Sequence, residues 1–106
     1  MRLWYDAPMD TSQIIERIRS READLHARGI LGLSIFGSRA RGDHKPESDL
    51  DILIDYDSSS GFSLLDLCAV ERILREDLGL PVQATTRNSL RPWLRRKVER
   101  DEVKVF

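Results

Sequence analysis

The sequence predicts one α/β (α+β) domain over residues 1–106, in which helices flank a small mixed β-sheet. Two observations support this fold class. Helical and strand patterns alternate along the chain in the order α-β-β-α-β-α, with Gly, Pro and Ser between them. A hydrophobic content of 41% beside 33% charged residues is typical of an ordinary globular domain.

The first third of the chain is predicted to contain one long helix and one strand. Asp10 is a good N-cap residue, with Gln13 placed for the reciprocal capping bond, and Gly29 would end the helix in a left-handed conformation. The short apolar run 30–36 predicts a strand in the centre of the sheet. Residues 1–8 are predicted to be an irregular lead-in, which Trp4 and Tyr5 anchor either to the body of the domain or to a partner. The side chains expected on one face of the helix are Ile14, Ile15, Ile18 and Leu25.

A turn, a short helical segment and a second strand follow. Gly37 and Ser38 form the turn, Arg39–Gly42 the helical segment and residues 43–47 a polar loop. The segment 49–56 alternates in polarity, which predicts a strand with one apolar face and one acidic end. The apolar face would carry Leu50, Ile52, Ile54 and Tyr56, and the opposite face Asp49, Asp51, Leu53 and Asp55.

The second half predicts a helix over 63–78, a strand over 80–85, a last helix capped by Asn88 or Ser89, and an extended end at 103–105. The core stripe expected on the first of these helices is Leu64, Leu67, Cys68, Leu74 and Leu78. A second apolar flank, for packing or for a partner, would consist of Leu65, Ala69 and Ile73.

Composition excludes several functional classes. The net charge of −1 argues against direct nucleic-acid binding and against binding to a membrane surface. The single cysteine cannot form a disulfide within the chain and favours a reducing compartment, and we expect it to be a buried apolar side chain. No apolar stretch is long enough to span a membrane and the N-terminus lacks a signal pattern, so we expect a cytoplasmic protein.

The turn and the acidic strand end together suggest a nucleotide site. Gly37 lets the backbone approach a ligand, and Ser38 adds a hydroxyl and an N–H that can bind phosphate. Asp49 and Asp51 share a strand face, with their backbones roughly 6–7 Å apart, so both carboxylates can reach the same cations. Mg²⁺ binds carboxylates together with substrate phosphates. Two basic side chains, Arg39 and Arg41, could neutralise phosphate charge.

The sequences Gly37-Ser38-Arg39-Ala40-Arg41-Gly42 and Ser48-Asp49-Leu50-Asp51 resemble the minimal nucleotidyltransferases of the DNA polymerase β superfamily, and most closely the antitoxins paired with HEPN-domain toxins. The resemblance covers nearly the whole chain. It implies a polymerase-β-type fold and Mg²⁺-dependent transfer of a nucleoside monophosphate from ATP or another NTP. For antitoxins of this kind it implies transfer of AMP from ATP to a toxin tyrosine, in a hetero-oligomer with a HEPN toxin. It also implies that residues 37 and 38 hold the nucleotide phosphates and that the two aspartates hold the metals.

The resemblance also implies a third carboxylate, on the strand after the long helix, but the matching position is Gln83. A neutral amide cannot act as a general base or supply negative charge to a metal. Asp55 lies about 13 Å beyond Asp51 by strand rise, too far to replace the missing acid. Three functions therefore stay open: an active transferase, a catalytically degenerate antitoxin that neutralises its toxin by binding, and a nucleotide-binding regulatory module.

Overall fold

The computed structural model describes residues 9–106, in which a four-stranded sheet has the strand order β3-β2-β1-β4. The predicted lead-in, with Trp4 and Tyr5, lies outside the described residues. The strands are β1 (Ile30–Phe36), β2 (Leu50–Tyr56), β3 (Val82–Thr86) and β4 (Val103–Lys104). The helices are α1 (Thr11–Arg19), α2 (Glu22–Ala27), α3 (Ser38–Arg41), α4 (Leu64–Leu78) and α5 (Pro92–Asp101).

The sheet is mixed, as the sequence predicts. The central strands β1 and β2 run antiparallel, and β4 pairs antiparallel with the other side of β1. Strand β3 runs parallel to β2, because α4 returns the chain to the same end of the sheet before β3 begins. In this register Asp51 lies beside Phe36 on one neighbouring strand and beside Gln83 on the other.

The main core lies on the sheet face that carries the alternating apolar residues of β2. Leu50, Ile52 and Ile54 are fully buried there against apolar side chains of α1, α2 and α4. Full burial of such side chains contributes about 1.5–3 kcal/mol each. Leu53, on the opposite face, is also fully buried but is not part of this cluster. Past its acidic end, β2 is therefore buried on both faces, with Leu53 on one face and Ile52 and Ile54 on the other.

The predicted long first helix is wrong, because the chain forms two short helices with a break at Ser20 and Arg21. The Ser20 hydroxyl donates to the carbonyl of Arg17 at 2.6 Å and competes with the backbone ladder. Arg21 then leaves helical geometry and binds both carboxylate oxygens of Asp77 through its guanidinium. The predicted capping box of Asp10 and Gln13 and the left-handed Gly29 are both confirmed.

The predicted core stripe of α4 is partly wrong. The buried side chains are Val70, Leu74 and Leu78, which follow one another at four-residue spacing. Leu64 is 73% exposed and Cys68 is exposed as well, so the expectation of a buried cysteine fails. At about 100° per residue, Cys68 lies about 160° around the helix from Val70 and so faces solvent. Leu64 is the first residue of α4.

The last helix also begins later than predicted. A short 3₁₀ turn occupies Arg87–Ser89, and α5 starts at Pro92 with Arg91 as its N-cap residue. Proline fits the first helical position, since its fixed φ suits the helix and its missing N–H is not needed there. The extended end is confirmed as β4. No helix described between residues 9 and 106 has the length and apolar character needed to cross a membrane.

Candidate functional site

The turn after β1 brings the backbone against an acidic side chain. Gly37 has φ 75° and ψ −155°, a conformation that is essentially restricted to glycine. A Cβ atom on Gly37 would lie 2.5 Å from Oδ2 of Asp51. Glycine is therefore required at this position for two reasons, its backbone geometry and the closeness of the carboxylate. Ser38 follows as the first residue of α3.

Asp49 immediately precedes β2, and Asp51 is the second residue of this strand. Asp49 is exposed and Asp51 is half-buried. Burial raises the pKa of the Asp51 carboxyl, the negative charge of Asp49 raises it further, and the charge of Arg41 opposes the rise. The two carboxylates are thus close enough to repel each other, which is the arrangement that a bound cation relieves.

Gln83 completes this cluster. Its backbone lies beside Asp51 across the parallel β2–β3 pair, and its side-chain amide donates a hydrogen bond to Oδ2 of Asp49 at 3.1 Å. Residue 83 therefore lies where a third carboxylate could join the pair. The amide supplies a donor to Asp49 in place of a third negative charge.

The two predicted phosphate-binding arginines differ in their surroundings. Arg39 is 2% exposed, and its guanidinium donates to the carbonyls of Ser48 at 3.1 Å and Pro46 at 3.2 Å. Its side chain braces the loop before β2 and is not open to a ligand. Arg41 remains near the site, where its guanidinium binds the carboxylates of Asp43 at 3.1 Å and Asp101 at 2.8 Å.

The donor set fits a divalent cation that is shared with a ligand. Asp49 and Asp51 offer carboxylate oxygens beside the close backbone of Gly37, and Mg²⁺ is commonly held by one or two carboxylates plus substrate phosphates. Within residues 9–106, no group of three or more His, Cys, Asp or Glu side chains is placed to hold a metal. The two carboxylates beside the backbone of Gly37 match the donor set of a cation that substrate phosphates also bind.

Sequence reasoning missed the residues that support this site. Asp101 on α5 holds Arg41 from 60 positions away, and the hydroxyl of Thr11 donates to the carbonyl of Arg39 at 3.1 Å. Neither contact has a local sequence signal, because each joins elements that meet only in the folded chain.

Comparison with known proteins is informative at the level of both family and fold. The family model described as "Nucleotidyltransferase domain" matches residues 11–105. The protein adenylyltransferase MntA of Thermococcus cleftensis is 32% identical over 100 residues, which covers 93% of this chain and 99% of that protein.

Two solved structures share the fold. A structure described as a minimal nucleotidyltransferase is 31% identical, has a TM-score of 0.69, and matches over 90% of this chain and 95% of its own. A crystal structure of a toxin–antitoxin with AMP-PNP has a TM-score of 0.73 over 87% of this chain and 72% of its own, at 17% identity. The second likeness shows the fold alone.

Proposed function

The chain belongs to the nucleotidyltransferase domain family, and from this premise we propose that it is an antitoxin that transfers AMP from ATP to a HEPN-domain toxin, at a rate reduced by Gln83. The observation that carries this proposal is the joint placement of Gly37, Asp49 and Asp51 at one end of β1 and β2. The adenylyltransferase name of the relative supports AMP as the group transferred. A toxin–antitoxin structure has the same fold, which is consistent with a toxin as the partner, and the HEPN class of that toxin is proposed from the family resemblance. We place the reaction in the cytoplasm.

The residues of the site would divide the binding of metal and nucleotide between them. Asp49 and Asp51 would hold a Mg²⁺ ion together with the nucleotide phosphates, and the backbone of Gly37 and Ser38 would bind those phosphates. Bound Mg²⁺ would neutralise phosphate charge and stabilise the departing pyrophosphate. Arg41 adds positive charge beside Asp51.

The transfer step makes one bond and breaks another. A hydroxyl oxygen of the toxin, on tyrosine by family resemblance, attacks the α-phosphorus of ATP, and the bond from that phosphorus to the β-phosphate bridging oxygen breaks. The hydroxyl loses its proton in the step. Gln83 cannot accept this proton, so the proton passes to water, and we expect a rate about 10²–10⁴-fold below that of a site with a third carboxylate.

The second candidate is a degenerate antitoxin that neutralises its toxin by binding alone. The observation in its favour is the hydrogen bond from the Gln83 amide to Asp49, which occupies one of the carboxylate oxygens. A nucleotide-binding regulatory module is the third candidate, and it needs the same site without a toxin.

A labelling experiment tests the proposal. The chain is incubated with Mg²⁺, α-³²P-ATP and the protein encoded by the adjacent gene, with γ-³²P-ATP as the control for phosphorylation. We expect slow α-label transfer, no γ-label transfer, and loss of transfer in Asp51→Asn. The matched pair Gln83→Asp and Gln83→Asn differs only by a charge, and we expect faster transfer in the first alone. Toxin neutralisation without any label, in the native chain and in Gln83→Asp, would establish binding as the mechanism.

A further inference from the structure

The outward face of α5 carries one aromatic and three cationic side chains in a single row. Trp93 is 60% exposed, and Arg96, Lys97 and Arg100 are exposed beside it. Positions i, i+3, i+4 and i+7 share one side of a helix, so these four side chains form a continuous strip two turns long. We call this strip the basic stripe.

The basic stripe is not neutralised by its own helix. The two acidic residues of α5 point elsewhere: Glu99 binds Arg87 and Arg95, and Asp101 binds Arg41. In the part of the chain that the structure describes, no carboxylate forms an ion pair with any of the three cations of the stripe. A protein with a net charge of −1 thus presents a local positive strip beside an exposed tryptophan.

The C-terminal end of the stripe lies next to the candidate site. Asp101, which follows Arg100, binds Arg41 at 2.8 Å. The N–H of Arg41 donates to the carbonyl of Gly37 at 3.0 Å, and Gly37 lies against the carboxylate of Asp51. Strand β4, which follows α5, reaches the same end of the sheet. Its residue Val103 pairs with Ile35 of β1, and the next residue of β1, Phe36, pairs with Asp51. A partner lying along the stripe would therefore extend toward the two carboxylates.

We propose that the basic stripe docks an acidic surface of the acceptor protein and so presents the acceptor hydroxyl to the site. Tryptophan and arginine are the side chains most enriched at the centres of protein interfaces. Single-stranded nucleic acid is held by several stacking aromatics in succession, and the stripe has one. The inference deepens the proposed function and rests on it for the identity of the acceptor.

Binding of poly-L-glutamate tests the charge preference of the stripe. In a Trp4→Phe background Trp93 is the remaining tryptophan, so its fluorescence reports binding at the stripe directly. We expect a titratable, salt-sensitive change with poly-L-glutamate, and affinity at least about tenfold lower in Arg96→Glu/Arg100→Glu. The matched control Arg28→Glu/Arg72→Glu changes the charge by the same amount at two other exposed positions. Arg28 follows α2 and Arg72 lies on α4, and we expect this variant to bind poly-L-glutamate as the parent does.

Each other outcome overturns the docking proposal. Equal loss in both double variants would show a response to net charge alone, and no binding in the parent would show that the stripe is merely solvated. Stripe-dependent binding of poly(U) RNA without binding of poly-L-glutamate would assign the stripe to nucleic acid. ATP binding is measured on the same variants. Intact ATP binding with failed docking refutes only the docking surface, whereas absent ATP binding in the parent refutes the proposed function.

Discussion

At the scale of single residues, Gly37 and Asp51 constrain each other. Gly37 adopts a backbone conformation that is essentially restricted to glycine, and it lies against Asp51 of β2. The Asp51 carboxylate fills the space that a side chain on residue 37 would need. Burial raises the pKa of the Asp51 carboxyl, and the neighbouring charge of Asp49 raises it further. The site therefore combines a backbone that only glycine can adopt with a charge that a cation would stabilise.

Gly37→Ala tests this dependence. We expect a loss of about 2–3 kcal/mol of unfolding free energy, since the substitution adds backbone strain and a clash with Asp51, and we expect weaker binding of Mg·ATP. Chemical denaturation and ATP titration measure the two effects. Gly61→Ala is the control, because Gly61 also has positive φ, at 78°, but has open space around it. Undiminished ATP binding in Gly37→Ala would contradict the assigned role of the turn.

At the scale of elements, α4 caps the open edge of the sheet. The outward N–H of Ala84 on β3 donates to Glu71 at 2.7 Å, and the other oxygen of Glu71 accepts from Arg75 at 3.0 Å. An unpaired strand edge is a template for pairing with other chains, and a charged side chain blocks that pairing. The same bond holds Ala84 in place next to Gln83, so the cap also fixes the strand that completes the site.

Glu71→Ala should remove this cap. The lost hydrogen bond leaves a strand N–H without its partner, so we expect destabilisation of about 1–2 kcal/mol and a greater tendency to aggregate. Urea unfolding and light scattering measure these effects. Glu76→Ala, at an exposed position of the same helix, should change stability by less than about 0.5 kcal/mol. Equal behaviour of the two variants would show that the cap contributes nothing.

At the scale of the whole molecule, Arg87 ties the end of the chain to the sheet. Its guanidinium binds Asp55 on β2, Glu99 on α5 and Glu102 just before β4. The Arg87 bond holds the pKa of Glu102 below its ordinary value, and a hydrogen bond from the Ser34 hydroxyl adds to this effect. One side chain thus connects β2, the last helix and the segment that leads into β4.

The tether predicts a pH-dependent stability. The pKa of Glu102 is lowered in the folded state. Its contribution to the stability of the fold is therefore complete above its ordinary pKa of 4.5 and is lost as the pH falls below that value. Arg87→Met should lower the free energy of unfolding by about 2 kcal/mol at pH 7. The difference in this free energy between the variant and the native chain should become smaller below about pH 4.5. Thermal unfolding between pH 7 and pH 3 measures this. Arg95→Met, which breaks an exposed pair with Glu99, is the control and should show little change. A constant difference across the range would refute the linkage.

Local sequence determined the parts of this protein whose causes lie within a few residues. The capping bond of Asp10, the strand of alternating residues at 50–56 and the turn at Gly37 were all predictable, because caps, alternation and glycine turns act over one to four positions. The spacing of Asp49 and Asp51 likewise placed both carboxylates on one face.

Tertiary structure decided what depends on contacts between distant elements. The parallel β2–β3 register places Gln83 against the carboxylates, and the contacts of Arg39 with the loop carbonyls turn a predicted phosphate ligand into a buried brace. Burial of Val70 sets the rotation of α4 and so exposes Cys68. Such outcomes follow from packing and hydrogen bonding between residues that are far apart in the sequence. An amphipathic pattern fixes the rotation of a helix about its axis only to within a fraction of a turn.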